Sequence, residues 1–439
     1  MKIEKKHLSV PLMAQLEITD FCNHKCVHCY NLDSDIQNRP MRKVSDETVL
    51  ACAQKMIDSE IFSVVITGGE PLLKKELTKK VISLFHENDI RISLNSNLTL
   101  FDDDFIDFLK QIEVVILTSC PSAVPTSYEK LIGVDNYAKF ETNIKKLLSA
   151  GISFIVNMVV TKENLHEIRI TAEKLKNLGC KSFAATPMGL NMDYPRFDLL
   201  LSIDEVRNVI ADVLWVEETL GLNVDMMEAL PKCVFPENIL TKKHSFLNRK
   251  CQAGRIGVAV SCIGDVRPCT HNPVSYGNIL EEDLKVIWTK MDNWRSSQYV
   301  PDECKECTWL NRCNGSCRTS AKTIGGEWNS KDMWATKPII KQVPKGNNKM
   351  NLMPEIRLQV NSDYKYRQED ETTFVFYNVA DDIYFMVNKT YCDFILGFEK
   401  NDTFTFGNLM QKYNINADNK AFYDTIMFLI QKKIFKIDY

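Results

Sequence analysis

The chain has 439 residues, a formal net charge of −3 and a composition that is 45% hydrophobic and 25% charged, which suits two or three domains with apolar cores. This charge balance shows no basic surface for nucleic acid and no polybasic face for a membrane, so we expect neither partner. The amino terminus lacks a long apolar stretch and a cleavage site, and no run approaches the ~18 apolar residues of a transmembrane helix, which predicts a cytoplasmic protein.

The first half of the chain alternates short apolar runs with longer helical patterns. This alternation predicts right-handed crossovers and a parallel sheet. Six such units would form a partial (β/α)6 barrel with its chemistry at the carboxyl ends of the strands. We therefore predict an α/β domain over residues 1–215. Its expected strands are 13–19, 63–67, 91–95, 114–118, 153–160 and 182–186, and its expected helices are 46–59, 75–87, 102–110, 137–150 and 165–178.

The second half divides into three further parts. Residues 216–341 are rich in cysteines, glycines and turns, which predicts a loop-rich domain in which metal clusters replace a large apolar core. Residues 342–350 are polar, contain Gly and Pro, and are predicted to be a linker. Residues 351–439 predict a small α+β domain. Its expected strands are 373–378 and 383–387, around an Ala-Asp-Asp turn, and its expected helices are 390–398, 406–412 and 420–432.

The chain has 15 cysteines, most of them at short spacings, and in a reducing cytosol this favours metal ligation over disulfides. Cys22, Cys26 and Cys29 form C-x3-C-x2-C directly after the first predicted strand. Three thiolates this close can share an iron–sulfur cluster and leave one iron of a cubane open for a cofactor or substrate. Two alternatives remain open at this point: a zinc site completed by His24 or His28, and three buried packing cysteines.

The second predicted strand runs into Gly68, Gly69, Glu70 and Pro71. Two glycines allow a ligand to approach the backbone closely, although a Gly-Gly pair alone is usually a turn. Together with the cysteine motif, this segment resembles the radical S-adenosylmethionine (AdoMet) superfamily. The superfamily places an aromatic residue before the last cysteine, where this chain has His28.

The resemblance implies a [4Fe–4S] cluster on Cys22, Cys26 and Cys29, whose open iron chelates the amino and carboxylate groups of AdoMet. In that superfamily an electron, for which flavodoxin or ferredoxin is the expected donor, cleaves AdoMet to a 5′-deoxyadenosyl radical that abstracts a substrate hydrogen. The Gly-Gly-Glu-Pro segment matches the motif that binds the AdoMet amino group.

Further positions around the cofactor follow from the same resemblance. Asn95 and Asn97 occupy a strand-end motif that lines the pocket, and Asn157 and Asn164 lie in a stretch that approaches the ribose. Cys120 falls near the barrel mouth, where it is a candidate catalytic thiol. A buried packing role is equally compatible with Cys120.

A second group of cysteines follows. A C-x2-C pair alone would suggest a zinc ribbon, but the complete spacing resembles the SPASM domain of peptide-modifying radical AdoMet enzymes, which normally holds two auxiliary iron–sulfur clusters. The expected ligands are Cys251, Cys269 and Cys317 for the first cluster, with Cys262, Cys233 or a substrate as its fourth ligand, and Cys304, Cys307 and Cys313 for the second.

The chain departs from the SPASM pattern at its last position. The seventh cysteine would fall near Ala335, but no cysteine occurs between Cys317 and Cys392. The second cluster is therefore expected to have an open iron or a non-cysteine ligand. Asp332 is a candidate because a carboxylate can ligate iron, and the alternative is a solvated loop residue.

Residues 351–439 resemble a PqqD-like peptide-recognition element with a winged-helix-like fold. The resemblance is carried by a strand hairpin, the segment VNKTYCDFIL and a final helix that leads into FLIQKKIFKI. It implies that the leader of a precursor peptide binds as an added strand. An unrelated winged-helix domain is the alternative, and DNA binding lacks an arginine-rich helix to support it.

The whole pattern predicts a maturase that crosslinks a ribosomally made precursor peptide through a thioether or a carbon–carbon bond. The first alternative is another reaction on the same machinery, either oxidation of a Ser or Cys in a protein or peptide epimerisation. The second alternative is a non-catalytic metal-binding scaffold.

Overall fold

The computed structural model divides the chain into two compact units, residues 13–342 and residues 1–12 with 343–439. The predicted linker and the predicted Ala-Asp-Asp turn lie outside the described residues, and the predicted domain boundaries stay predictions. No described helix combines the length and apolar character that crossing a bilayer requires. The structure describes residues 8–31, 44–242, 244–340, 352–378, 383–416 and 419–438.

The larger unit is built on one nine-stranded sheet. Its strands β1 to β9 are Met13–Glu17, Ser63–Thr67, Arg91–Ser96, Val114–Ser119, Phe154–Val160, Ser182–Pro187, Asn223–Asp225, Gly257–Val260 and Val266–Arg267. Strands β1 to β7 lie side by side in chain order and pair in parallel, while β8 pairs in parallel with the other side of β1 and β9 is antiparallel to β8. Parallel neighbours in chain order are the arrangement of a barrel wall, which confirms the predicted α/β fold.

Helices connect these strands. The six predicted strands and five predicted helices are confirmed, with ends shifted by a few residues. Two further helices, Pro125–Ile132 (α4) and Ile203–Trp215 (α7), were not predicted. Helix α7 begins with a capping box in which Ser202 and Glu205 bond each other's backbone N–H groups. Helices α1 to α12 are Asp46–Asp58, Lys75–Glu87, Asp103–Leu109, Pro125–Ile132, Tyr137–Ala150, Ile168–Leu178, Ile203–Trp215, Glu237–Leu240, Leu284–Thr289, Asp292–Arg295, Leu310–Cys313 and Arg318–Gly325.

The smaller unit has two three-stranded antiparallel sheets. Strands β10 to β15 are Arg357–Val360, Tyr364–Gln368, Thr373–Asn378, Ile383–Asn388, Thr403–Thr405 and Phe435–Asp438, and helices α13 to α15 are Lys389–Leu396, Phe406–Lys412 and Lys420–Gln431. One sheet has the order β11-β12-β13 and the other β14-β10-β15. The predicted pairing of β12 with β13 is confirmed.

A buried ion pair lies in the smaller unit, and the hydrogen bonds of its arginine connect the amino-terminal segment 8–12 with β11. The Arg367 and Glu369 side chains are 2.8 Å apart and each only 3% exposed. Arg367 also donates to the carbonyl of Val10 at 2.9 Å and to that of Pro11 at 3.3 Å. Because a buried guanidinium needs several acceptors, these bonds fix the segment at residues 8–12 against β11.

Candidate functional site

The loops that follow β1, β2 and β3 meet at the carboxyl edge of the sheet, because neighbouring parallel strands end there together. The first loop carries Cys22, Cys26 and Cys29. The second carries the Gly-Gly-Glu-Pro segment, and the third carries Asn97. Motifs far apart in sequence are thereby brought to one place.

The three thiols of the first loop lie close enough to influence one another. Burial raises the pKa of Cys22 to about 12 and that of Cys26 well above its ordinary value, and Cys29 raises both further. The Cys22 sulfur accepts the backbone N–H of His24 at 3.4 Å, and the Cys29 sulfur accepts that of Asn31 at 3.4 Å. Buried neighbouring thiols lose their protons only beside compensating positive charge, which the irons of a cluster provide. The donor set therefore fits an iron–sulfur cluster.

Two histidines flank these thiols. Burial lowers the pKa of both His24 and His28 to about 4, so both rings are neutral at pH 7. The Nε2 atom of His24 lies 3.2 Å from the Asn136 amide nitrogen, so this ring already has a partner.

The two glycines after β2 pack against the chain's own cysteine loop. The N–H of Gly69 donates to the carbonyl of Thr19, and that of Glu70 to the carbonyl of Phe21, both at 2.7 Å. A Cβ at Gly68 would lie 2.3 Å from the Thr19 oxygen, and one at Gly69 would lie 1.8 Å from the Phe21 oxygen. The close approach that these glycines permit is to the backbone that positions Cys22; their role in binding a ligand stays a prediction.

Glu70 ties the second loop to the end of β3. Its carboxylate accepts hydrogen bonds from the Ser96 hydroxyl and the Asn97 N–H, both at 2.8 Å, and from the Leu72 N–H at 3.1 Å. The side chain is buried, and burial raises its pKa to about 6. Pro71 then opens a short turn of 3-10 helix. In the described contacts, Glu70 organises the loops around the cysteines.

Asn97 extends this network to the thiols. Its amide donates to the Cys22 sulfur at 3.8 Å and to the Asn23 oxygen at 2.8 Å, while its own oxygen accepts from Thr99. Asn95 makes a long contact of 3.5 Å to the Thr67 hydroxyl. Asn97 therefore contacts the cysteine loop directly.

Of the remaining predicted positions, Asn157 bonds to the neighbouring strand, whereas Asn164 and Cys120 are fully buried. The Asn157 oxygen on β5 accepts from the Thr186 hydroxyl at 2.7 Å. Asn164 has its amide and oxygen bonded to Thr161, Pro121 and Val159 and is fully buried, which indicates a structural role. Cys120 is also fully buried and its thiol donates to the Ser122 carbonyl, which favours the packing interpretation over a catalytic thiol.

The predicted ligands of the first auxiliary cluster, Cys251, Cys269 and Cys317, lie near one another and form the first auxiliary group. Each of these thiols interacts electrostatically with a neighbour in the group, and burial raises the pKa of Cys269 to about 12. The Cys317 thiol donates a hydrogen bond to Glu228, a residue that follows β7 and that sequence reasoning missed. Nothing in the local pattern around Glu228 marks it. Cys262 was expected near this group, but it lies beside Cys52 and Asp265.

The second auxiliary group contains Cys304, Cys307 and Cys313, and it also contains Cys233. The Cys304 thiol interacts electrostatically with the other three, and burial raises its pKa to about 11. Cys233, one of the alternative fourth ligands of the first cluster, thus interacts with the second group. Among the residues that the structure describes, no group of three or more His, Cys, Asp or Glu side chains is placed so that it could hold a single metal ion.

Asp332 lies between the two auxiliary groups and is 3% exposed, so it is not a solvated loop residue. One carboxylate oxygen accepts the Cys317 N–H and the other accepts the Trp334 N–H, each at 3.0 Å. Burial raises its pKa to about 6. Through the first of these bonds, Asp332 positions the Cys317 backbone.

Known proteins resemble this chain in the same two regions. The family model of the Radical SAM superfamily matches residues 16–175, and that of the SPASM iron-sulfur cluster-binding domain matches residues 251–308. An AdoMet-dependent heme synthase of Methanosarcina barkeri is 25% identical over 343 residues, covering 73% of this chain and 95% of that protein. The antilisterial bacteriocin subtilosin biosynthesis protein AlbA of Bacillus subtilis is 26% identical over 287 residues, covering 64% of this chain and 60% of that protein.

The fold is also similar to a solved structure, Streptococcus suis SuiB bound to precursor peptide SuiA. The TM-score is 0.60 at 19% sequence identity, and the match covers 74% of this chain and 76% of that one. Likeness at this identity shows a shared fold. The chain thus contains a radical SAM domain, whose cofactors are a [4Fe–4S] cluster and AdoMet. It also contains a SPASM domain, which binds additional iron–sulfur clusters. The protein is a radical SAM enzyme.

Proposed function

We propose that this enzyme matures a ribosomally made precursor peptide by forming a thioether or carbon–carbon crosslink. AlbA takes part in the biosynthesis of a bacteriocin, and SuiB has been crystallised with a precursor peptide. The observation that carries the proposal is the smaller unit of this chain, in which a three-stranded antiparallel sheet leads directly into a helix. We propose that this unit is a PqqD-like peptide-recognition element.

In this proposal, Cys22, Cys26 and Cys29 hold the cluster that binds AdoMet. The Gly68–Pro71 segment, with Asn95, Asn97 and Asn157, surrounds the cofactor. When bound, the cluster and AdoMet supply a carbon radical that abstracts hydrogen. The chain's own part is to hold three thiolates at one sheet edge, to position the loops through Glu70 and Asn97, and to keep water from the site with the buried apolar sheet. A flavodoxin or ferredoxin is the proposed electron donor.

The leader of the precursor would bind at β13. This strand is an edge of the sheet β11-β12-β13 in the described part of the chain, and an edge strand offers backbone groups for an incoming strand. Tyr384 on β13 is 40% exposed, and Leu396 on the adjoining helix α13 is 38% exposed. Apolar side chains of a leader strand would bury both.

Replacing Tyr384 and Leu396 together by Asp is expected to weaken leader binding about 10- to 100-fold, because charges would replace the apolar contacts beside the added strand. Fluorescence anisotropy of a labelled leader peptide on the full chain measures this. The matched control is Tyr366→Asp, compared with Tyr384→Asp alone so that each variant adds one charge; Tyr366 lies on the opposite edge strand, β11, and is 46% exposed. An equal loss of affinity in both variants, or no loss of affinity in either variant, would argue against β13 as the binding edge.

The reaction itself is tested by incubating the anaerobically reconstituted enzyme, AdoMet and a reductant with the precursor encoded beside its gene. Crosslinking removes two hydrogens, so we expect each bond to lower the peptide mass by about 2 Da. A mass that is unchanged in H2O but rises by about 1 Da in D2O, with the deuterium at one α-carbon, would instead identify an epimerase. Oxidation of a Ser or Cys in a protein would identify the other maturase reaction. Absence of AdoMet cleavage by the cluster-loaded chain would identify a scaffold.

A second candidate function is supported by the M. barkeri heme synthase, because the match covers 95% of that protein. Conversion of a haem precursor, with no change in the peptide, would favour this candidate. The smaller unit is the feature of this chain that favours the peptide.

A further inference from the structure

The second auxiliary group includes one cysteine that the SPASM pattern does not. The pattern's last cysteine would fall near Ala335, but none occurs between Cys317 and Cys392. The structure brings Cys233 to this place from a short turn of 3-10 helix, Lys232–Val234, which precedes β8 in the chain.

Contacts on two sides place Cys233. On one side, the Cys313 thiol accepts the backbone N–H of Lys232, and the thiols of Cys304 and Cys313 both interact electrostatically with Cys233. On the other side, the Cys233 sulfur accepts the N–H of Thr336 at 3.2 Å, and its carbonyl accepts the Thr336 hydroxyl at 2.7 Å. Cys233 therefore lies between the other thiols of the group and the stretch where the missing cysteine would fall.

The turn that carries Cys233 is firmly anchored. Lys232 is 1% exposed, and its ammonium donates to the carbonyl of Arg249 at 3.0 Å. Val234 is also 1% exposed, and its carbonyl accepts from the guanidinium of Arg207 at 3.4 Å. A thiol whose neighbours on both sides are held in this way is preorganised for ligation.

Asp332, the carboxylate considered for the same role, already accepts backbone N–H groups with both oxygens. We propose that Cys233 supplies the fourth thiolate of the second auxiliary cluster, which then has four cysteine ligands and no open iron. A closed cluster serves electron transfer and leaves no position for a substrate thiol. This inference depends on cluster binding by the SPASM domain and does not depend on a peptide being the substrate.

The test uses the full chain with Cys22, Cys26 and Cys29 replaced by Ala, so that only auxiliary clusters contribute iron. In this background Cys233→Ala is expected to lower iron by up to about four per chain and to remove or shift one EPR signal of the reduced clusters. The controls are Cys262→Ala and Cys180→Ala, each of which removes a buried cysteine outside this group. Both controls are expected to retain the iron content and the EPR spectrum of the parent.

A relocation variant separates ligation from folding. Cys233→Ala combined with Thr336→Cys returns a thiol from the residue that contacts Cys233, and we expect it to restore the iron and the signal. Unchanged iron and EPR in Cys233→Ala would overturn the proposal. So would an iron loss that accompanies a lowered unfolding temperature and is not restored by relocation, and so would an equal iron loss in the Cys180→Ala control.

Discussion

Replacing Cys22, Cys26 and Cys29 together by Ala is expected to abolish AdoMet cleavage and every change in the peptide, while the auxiliary clusters remain. Within the described residues, the three thiols are the only cysteines on the loops that meet Glu70 and Asn97, and the Cys22 sulfur accepts a hydrogen bond from the Asn97 amide. Without them the superfamily's cofactor has no protein ligands at the sheet edge, so a residual rate above background is not expected.

The measurement is 5′-deoxyadenosine formed per chain, with iron content determined on the same sample. Iron should fall by about four per chain, the content of one cubane. Replacing Cys52, Cys180 and Cys392 by Ala is the matched control, because it removes three buried cysteines that lie outside all three groups. That variant should keep its iron and its AdoMet cleavage. A triple variant at 22, 26 and 29 that still cleaves AdoMet would place the cofactor elsewhere.

The parts of this architecture that the sequence predicts are those with short-range causes. Strands β2, β4 and β5 are apolar runs rich in Val and Ile, as expected for parallel strands covered on both faces, and all of the strands β2 to β6 were located within a residue or two. The cysteine spacing of the first loop predicts its own cluster, because all its donors lie within eight residues of one another. Helix α7 was missed even though its capping box is visible in the sequence.

The parts that the sequence does not predict depend on pairing between distant segments. Strand β10 pairs with β14 and β15, which follow it by long connections and are only three and four residues long. Cys233 carries no spacing signal, because its place beside Cys304 and Cys313 follows from how the turn after β7 packs. The backbone contact that requires glycines after β2 is with Thr19 and Phe21, roughly 50 positions earlier in the chain, and no local pattern predicts it.

That contact leads to the second large effect, expected for Gly69→Ala. A Cβ at this position would lie 1.8 Å from the carbonyl oxygen of Phe21, 2.1 Å from its carbonyl carbon and 2.8 Å from the backbone nitrogen of Cys22. All three atoms belong to the backbone, so no side-chain rotation relieves the overlap. The loop must move, and with it Cys22 and the hydrogen bond from the Glu70 N–H to Phe21.

We expect Gly69→Ala to destabilise the larger unit by about 3 kcal/mol or more and to remove most of the iron of the first cluster, with AdoMet cleavage falling in proportion. Gly151→Ala is the control: Gly151 has a φ of +69° and nothing within 4 Å of the added methyl, so its cost is limited to about 1 kcal/mol of backbone strain and its iron content should stay unchanged. Thermal unfolding and iron analysis on both variants decide the matter. If the two alanine variants bind equal iron and cleave AdoMet at equal rates, the packing of the second loop against the first does not position the thiols, and the cluster must be held by the cysteine loop alone.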